Sequence, residues 1–191
     1  MHFNLKKIIF WQPKKDFLVV FDHDFWGEIA LIFLNYSIWI FFFAVSYRLI
    51  LFDINFFGRL FIATVIAELI ERYLKKKSFW IRPMFNRRKI APKGLVNNWY
   101  HSGSFPSGHI MKTTYFFLFI LFATIIPIPL FLIITIPLLA FRVLVGFHYP
   151  IDMIGGIIFG IVLWLLVKNM IFPDSLNHFV QTIFNFVFFI T

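Results

Sequence analysis

Long apolar runs alternate with short polar breaks along most of the chain, and this alternation predicts an all-α fold, a polytopic transmembrane helical bundle. Runs at 29–52, 56–74, 106–126, from the 127–129 turn to 147, and 151–172 predict five spans, each near the roughly 20 residues that crossing requires. The breaks are readable too: Asp53-Ile54-Asn55 turns the chain once and Pro127-Ile128-Pro129 turns it again, while Pro137 predicts a kink in the fourth span. Gly155, Gly156 and Gly160 in the fifth allow close helix packing. Residues 1–28 hold only short apolar runs, at 8–11 and 17–21, and predict a retained interfacial segment without a cleaved leader. Residues 174–191 are apolar but short and carry Asn177, His178, Gln181 and Asn185. An interfacial helix is expected there, a sixth span being the alternative. Asn35, Tyr36, Ser37 and Ser46 in the first span are expected to bond between helices.

Composition sharpens this picture. The 191 residues are 60% hydrophobic and 14% charged, with a mean hydropathy of +0.82, outside the usual range of a soluble domain. A chain without cysteine has no disulfide, no thiolate metal site and no thiol nucleophile. The formal charge of +9 lies beside apolar spans, which fits anionic headgroups or a phosphorylated substrate better than nucleic acid. His2 and His23 lack any ligand spacing, so no metal and no cofactor is expected.

Ionisable groups at membrane depth are functional candidates, because an unpaired one costs about 2.5 kcal/mol or more. The stretch 140–156 holds Arg142, His148 and Asp152 between apolar runs. Pro150 suits a first helical position, with Tyr149 as cap. Asp152 then lies in the first turn, where it can reach back to His148 and leave the other imidazole nitrogen a better base or nucleophile. In Ser104-Phe105-Pro106-Ser107-Gly108-His109, Pro106 again suits a first helical position. The free N–H groups that follow favour an anion, and Gly108 permits its close approach. Lys75 to Pro83 adds two more cations, Lys75 and Arg82. The predicted spans bring all three segments to one membrane face, where Lys75, Arg82, Arg142 and two helix N-termini would bind a phosphate dianion. Glu68 faces Arg72, and Glu71 faces Lys75, at i, i+4. The polar connection 75–105 is long for so compact a chain, and Asn97, Asn98, Trp99, Tyr100 and His101 are expected at the interface. A purely structural alternative remains open, with Arg142 and Asp152 as an interhelical ion pair.

In order these segments read K-x6-R-P, P-S-G-H and R-x5-H-x3-D. The chain thereby resembles the type 2 phosphatidic acid phosphatase and vanadium haloperoxidase superfamily, over residues 68–160. Lys75, Arg82 and Pro83 match its first motif; Pro106, Ser107, Gly108 and His109 its second; Arg142, His148 and Asp152 its third. One position departs, for Phe141 stands where the third motif usually has Ser.

The resemblance implies a metal-independent phosphatase in which His148 attacks phosphorus to form a phosphohistidine. Asp152 orients His148, and His109 protonates the leaving oxygen and then activates water. Lys75, Arg82, Ser107, Gly108 and Arg142 hold the phosphate. The expected partners are the bilayer and a lipid phosphate, with undecaprenyl diphosphate preferred to phosphatidate or phosphatidylglycerophosphate on resemblance to small bacterial members. A lipid phosphotransferase and a non-catalytic lipid-binding protein are the competing readings. Residues 1–191 are expected to form one domain: the N-terminal segment 1–28, the motif-bearing core 68–160 and the tail 174–191. Basic residues on the motif side place that face in the cytoplasm by the charge rule. The resemblance implies the outer face of a bacterial plasma membrane, which is the expectation adopted.

Overall fold

The computed structural model describes residues 5–21, 25–87, 97 and 102–188. Among them are eight α-helices: α1 (Leu5–Ile9), α2 (Phe25–Phe52), α3 (Ile54–Lys77), α4 (Pro83–Arg87), α5 (Gly108–Ala123), α6 (Ile128–Leu144), α7 (Pro150–Val167) and α8 (Asp174–Phe188). A 3-10 turn, Phe17–Val20, lies between α1 and α2. His2, His23, Asn98, Trp99, Tyr100 and His101 fall outside the described residues.

Each expected span coincides with a helix, α2, α3, α5, α6 and α7. Two of these, α2 and α7, are long and apolar enough to cross a membrane, while α5 and α6 are shorter apolar helices. The ends differ from expectation for local reasons. The first turn contracts to Asp53, whose extended backbone and Oδ1, accepting from Asn55 N at 2.8 Å, start α3 at Ile54. Pro106 is not the first helical residue. Ser107 N donates to Asp152 O at 3.1 Å, Ser107 keeps an extended backbone as N-cap, and α5 begins at Gly108. Pro150 does open α7 with Tyr149 as N-cap, as its fixed φ predicts, but the helix stops at Val167 rather than continuing to 172. The long connection contains a helix that periodicity did not announce, α4, with Pro83 as its first residue.

Helix α5 is the axis of the bundle, packed most extensively on α7 and also on α2, α3 and α6. The α5–α7 contact is close because two glycines permit it. A Cβ on Gly156 would lie 2.8 Å from Ser107 O and Ile110 Cβ, and one on Gly160 2.7 Å from Met111 O. Val45, Leu49, Ala63, Ala67, Met111, Tyr115, Phe119 and Leu163 fill the buried core among these helices. Outward faces carry exposed Phe33, Phe43, Phe122, Ile133, Ile136 and Leu166. Of the polar residues of α2, Asn35 does bond to another helix. Ser37 and Ser46 do not need to, since their hydroxyls donate back to Leu34 O and Phe42 O of their own helix.

The first and the last described segments pack at opposite ends of the bundle. Near the start of α3, Asn55 Oδ1 accepts from Phe172 N and Asn177 Nδ2, both at 3.2 Å, and Arg59 Nε donates to Met170 O at 2.7 Å. These bonds hold α8 there. At the other end, where α3 finishes and α7 begins, the Phe10 ring meets Trp80 and Tyr149 at centroid distances of 5.3 and 5.2 Å. Leu18, Leu31, Met84, Val145 and Phe147 form a second buried cluster on this side.

Candidate active site

The ends of the long connection are tied together before any side chain is considered. Ile81 and Gly103 form an isolated antiparallel bridge, and Ser104 N donates to Trp80 O at 3.2 Å. Met84 N donates to Gly146 O at 2.9 Å, so the segment after α3 also joins the loop between α6 and α7. Arg82 is buried at this junction, with Nε donating to Ser102 Oγ and Nη1 to Phe147 O, both at 3.0 Å. Burial lowers its guanidinium to about 10, so it stays charged at neutral pH.

Lys75 in the last turn of α3 pairs with Glu71. Arg142, in the last turn of α6, is buried; it donates through Nη1 to Asn35 Oδ1 and lies over the Phe147 ring. Its Nε and the buried Ser107 Oγ meet no hydrogen-bond partner among the described residues. His109 Nε2 lies 3.2 Å from Asn35 O. A carbonyl only accepts, so that nitrogen carries a proton.

His148 and Asp152 are both buried, with Nδ1 3.4 Å from Oδ2, a charge-pair distance at which hydrogen-bond geometry is not met. Asp152 is held on both oxygens: Oδ2 accepts from Tyr149 N at 2.7 Å, and Oδ1 from Trp80 Nε1 at 2.8 Å. Burial first, and then the charges of Arg82, Arg142 and Lys75, push the His148 imidazole well below its usual 6.5. It is therefore neutral at physiological pH.

Lys75, Arg82, His109 and Arg142 line one cavity of about 180 Å³, together with Asn35, Tyr36, Trp39, Glu68, Glu71 and Lys112. His148, Asp152, Ser107 and Gly108 are not among its lining residues. They stand beside it, with His148 N 3.3 Å from Arg142 O and Gly108 against the Glu71 carboxylate. All eight candidate residues thus gather at one end of the bundle.

Sequence reasoning missed three participants. Lys112 is buried, pairs with Glu68 and Glu71, and lies 4.9 Å from the centre of the Trp39 ring. As a lone charge in an apolar helix, three residues after His109, it carried the same signal as Arg142. Trp80 carried none, since its partner is distant in the chain, and Asn35 was legible only as a residue that bonds between helices, not as one that holds Arg142. Phe141 packs against the second apolar cluster, its ring 5.5 Å from Phe21, and does not line the cavity. Among the described residues, no group of three or more His, Asp or Glu side chains is arranged to hold a metal ion.

Fold and site define a helical protein with a buried, cation-lined pocket suited to an anion. Residues 56–175, well over half of the chain, match the family model described as PAP2 superfamily, and the chain belongs to that superfamily. Its members are phosphatases acting on phosphate esters. The apolar helices α2 and α7, with this domain, are compatible with a membrane protein. No curated protein and no solved structure matches the chain.

Proposed function

We propose that the protein is an integral-membrane lipid phosphatase working through a phosphohistidine. The observation that carries this reading is the convergence of four cations, Lys75, Arg82, Lys112 and Arg142, on one small cavity beside the neutral, buried His148. Pre-aimed donors of this kind stabilise the charge that develops on a five-coordinate phosphorus. A metal is not required for such a site, because the protein supplies the positive charge itself.

In the proposed reaction Arg142 Nε and Ser107 Oγ, both without a hydrogen-bond partner among the described residues, donate to phosphate oxygens alongside Lys75, Arg82 and the N–H groups at Gly108. His148, its Nδ1 turned to Asp152, attacks phosphorus through Nε2. The bond from phosphorus to the leaving oxygen breaks, and His109, which takes up a second ring proton as the phosphate dianion binds, gives that oxygen a proton. Water then attacks the phosphohistidine, losing a proton to His109 while the nitrogen–phosphorus bond breaks and phosphate leaves.

The whole chain acts as one domain: 1–28 is an interfacial N-terminal segment, 68–160 carries the motifs and 174–191 is an apolar interfacial tail. The pocket opens at the outer face of a plasma membrane, and the tail of the lipid stays in hydrocarbon. A polyprenyl diphosphate such as undecaprenyl diphosphate is the preferred substrate, ahead of phosphatidate and phosphatidylglycerophosphate.

The test is phosphate release from these three lipids by the purified protein in detergent with EDTA. Wild type releases phosphate, and His148→Ala lowers the rate by about a thousandfold or more, as loss of a nucleophile does. Rapid acid-free quenching with labelled substrate traps a base-stable phosphoryl group on wild type and none on the variant. Unchanged release by the variant overturns the phosphohistidine.

A further inference from the structure

The cradle proposed for phosphate is not empty of charge. Glu71 reaches it from α3, and three observations place its carboxylate there. A Cβ built on Gly108 would fall on the Glu71 carboxylate, its three nearest neighbours being Oε2, Cδ and Oε1. The same group pairs with Lys75 and, at 3.2 Å from Oε2, with Lys112 Nζ. It also lines the cavity that Arg82 and Arg142 line, with a side chain only 12% exposed.

The geometry points to Glu71 as a built-in competitor for the phosphate site that makes the protein select doubly charged phosphate groups over phosphodiesters. This rests on the proposed anion site, which it deepens by naming the chemical class admitted. A phosphate oxygen against Gly108 and the Glu71 carboxylate cannot occupy the same space, so binding is an exchange of one anion for another. The carboxylate carries a single charge. A terminal phosphate or a diphosphate brings at least two and wins the cations on electrostatic grounds. A phosphodiester headgroup brings one, gains nothing over Glu71, and must still displace it.

That distinction matters at a bilayer, where diester phospholipids are the surrounding solvent and would otherwise fill the site. The cluster is also built to survive the exchange. Lys112 keeps Glu68 as a second partner when Glu71 leaves. Glu68 itself is 40% exposed and lies 3.8 Å from Arg72, so this side of α3 opens towards solvent or headgroups, where a displaced carboxylate is hydrated.

The experiment is calorimetric binding of inorganic phosphate and of dimethyl phosphate, a soluble singly charged diester, to the detergent-solubilised full chain at slightly alkaline pH. Wild type binds phosphate and not the diester. Glu71→Gln binds phosphate about tenfold tighter, since a like charge has left the site, and gains diester binding. Phosphate binding equal to or weaker than wild type overturns the proposal and makes Glu71 a holder of Lys75 and Lys112. Tighter phosphate with the diester still excluded overturns the selectivity and assigns it to shape. Should Glu71→Gln not fold, Glu71→Asp keeps the charge but withdraws it by one methylene, and carries the same two outcomes. Absence of phosphate binding by wild type and variant alike overturns the anion site itself. Because binding is read, loss of the phosphohistidine step in the preceding test would leave this result standing.

Discussion

Trp80 shows how one side chain serves both stability and chemistry. Its indole N–H is donated to Asp152 Oδ1 at 2.8 Å, and its ring packs against Phe105 and Phe10 at 5.1 and 5.3 Å between centroids. Hydrogen bonds to a charged acceptor contribute about 1.5–3 kcal/mol. Trp80→Phe keeps most of the ring contact and removes the donor, so unfolding free energy in detergent falls by about 2 kcal/mol. Under the proposed reaction the rate falls while phosphate affinity holds, because Asp152 orients His148 and does not touch substrate. Equal losses in rate and phosphate affinity would show instead that Trp80 shapes the pocket. Phe141 illustrates the converse. The hydroxyl expected at its position is missing, and its ring is committed to Phe21 and the cluster around Leu18 and Phe147. It serves to anchor the N-terminal segment.

At the scale of elements, the α5–α7 contact governs the site, because it sets how the second motif stands against the third. Ser107 N donates to Asp152 O, and Gly156 lets the two helix starts approach to that distance. A methyl group added at Gly156 meets backbone, Ser107 O at 2.8 Å, as well as Ile110. Overpacking of this kind costs about 1–3 kcal/mol. Gly156→Ala therefore lowers the thermal midpoint and also lowers activity, by moving Ser107 and His109 away from Asp152. Gly58→Ala, whose nearest neighbours are ring atoms of Phe172, lowers the midpoint without altering activity at the far end of the bundle. A Gly156→Ala protein with wild-type stability would show that α5 and α7 can part freely.

For the whole molecule, burying His148 links stability to pH. Its folded value lies well below 6.5, so below that pH the unfolded chain binds a proton that the folded chain refuses. Stability contributed in this way is complete above 6.5 and is lost as pH falls towards the folded value, by about 1.4 kcal/mol one unit below. Thermal unfolding in detergent across that interval should show the slope in wild type and its reduction in His148→Asn. How much of this molecule was legible in its sequence follows from the range of each interaction. The long helices are visible because apolar runs and prolines act locally, and Tyr149 caps α7 for the same reason. The gathering of Lys75, Arg82, His109 and Arg142 could be anticipated because charges in apolar surroundings need a common purpose. The bonds from Trp80 to Asp152 and from Arg142 to Asn35 could not, since each joins residues that only tertiary packing brings together. Glu71 was half legible. Its partner one turn along the helix was plain, whereas its place against Gly108 depends on how α3 leans on α5.

The cavity measures about 180 Å³, below the roughly 300 Å³ at which pockets for drug-sized ligands begin. A headgroup fits such a space and a hydrocarbon chain does not. Under the proposed function the protein is a wet notch cut into an oily wall, and it meets a lipid by its head alone. The anchor serves only to float the headgroup at the right depth, so a long isoprenoid and a pair of short acyl chains look alike from inside, and any preference among lipids rests on diphosphate against monophosphate.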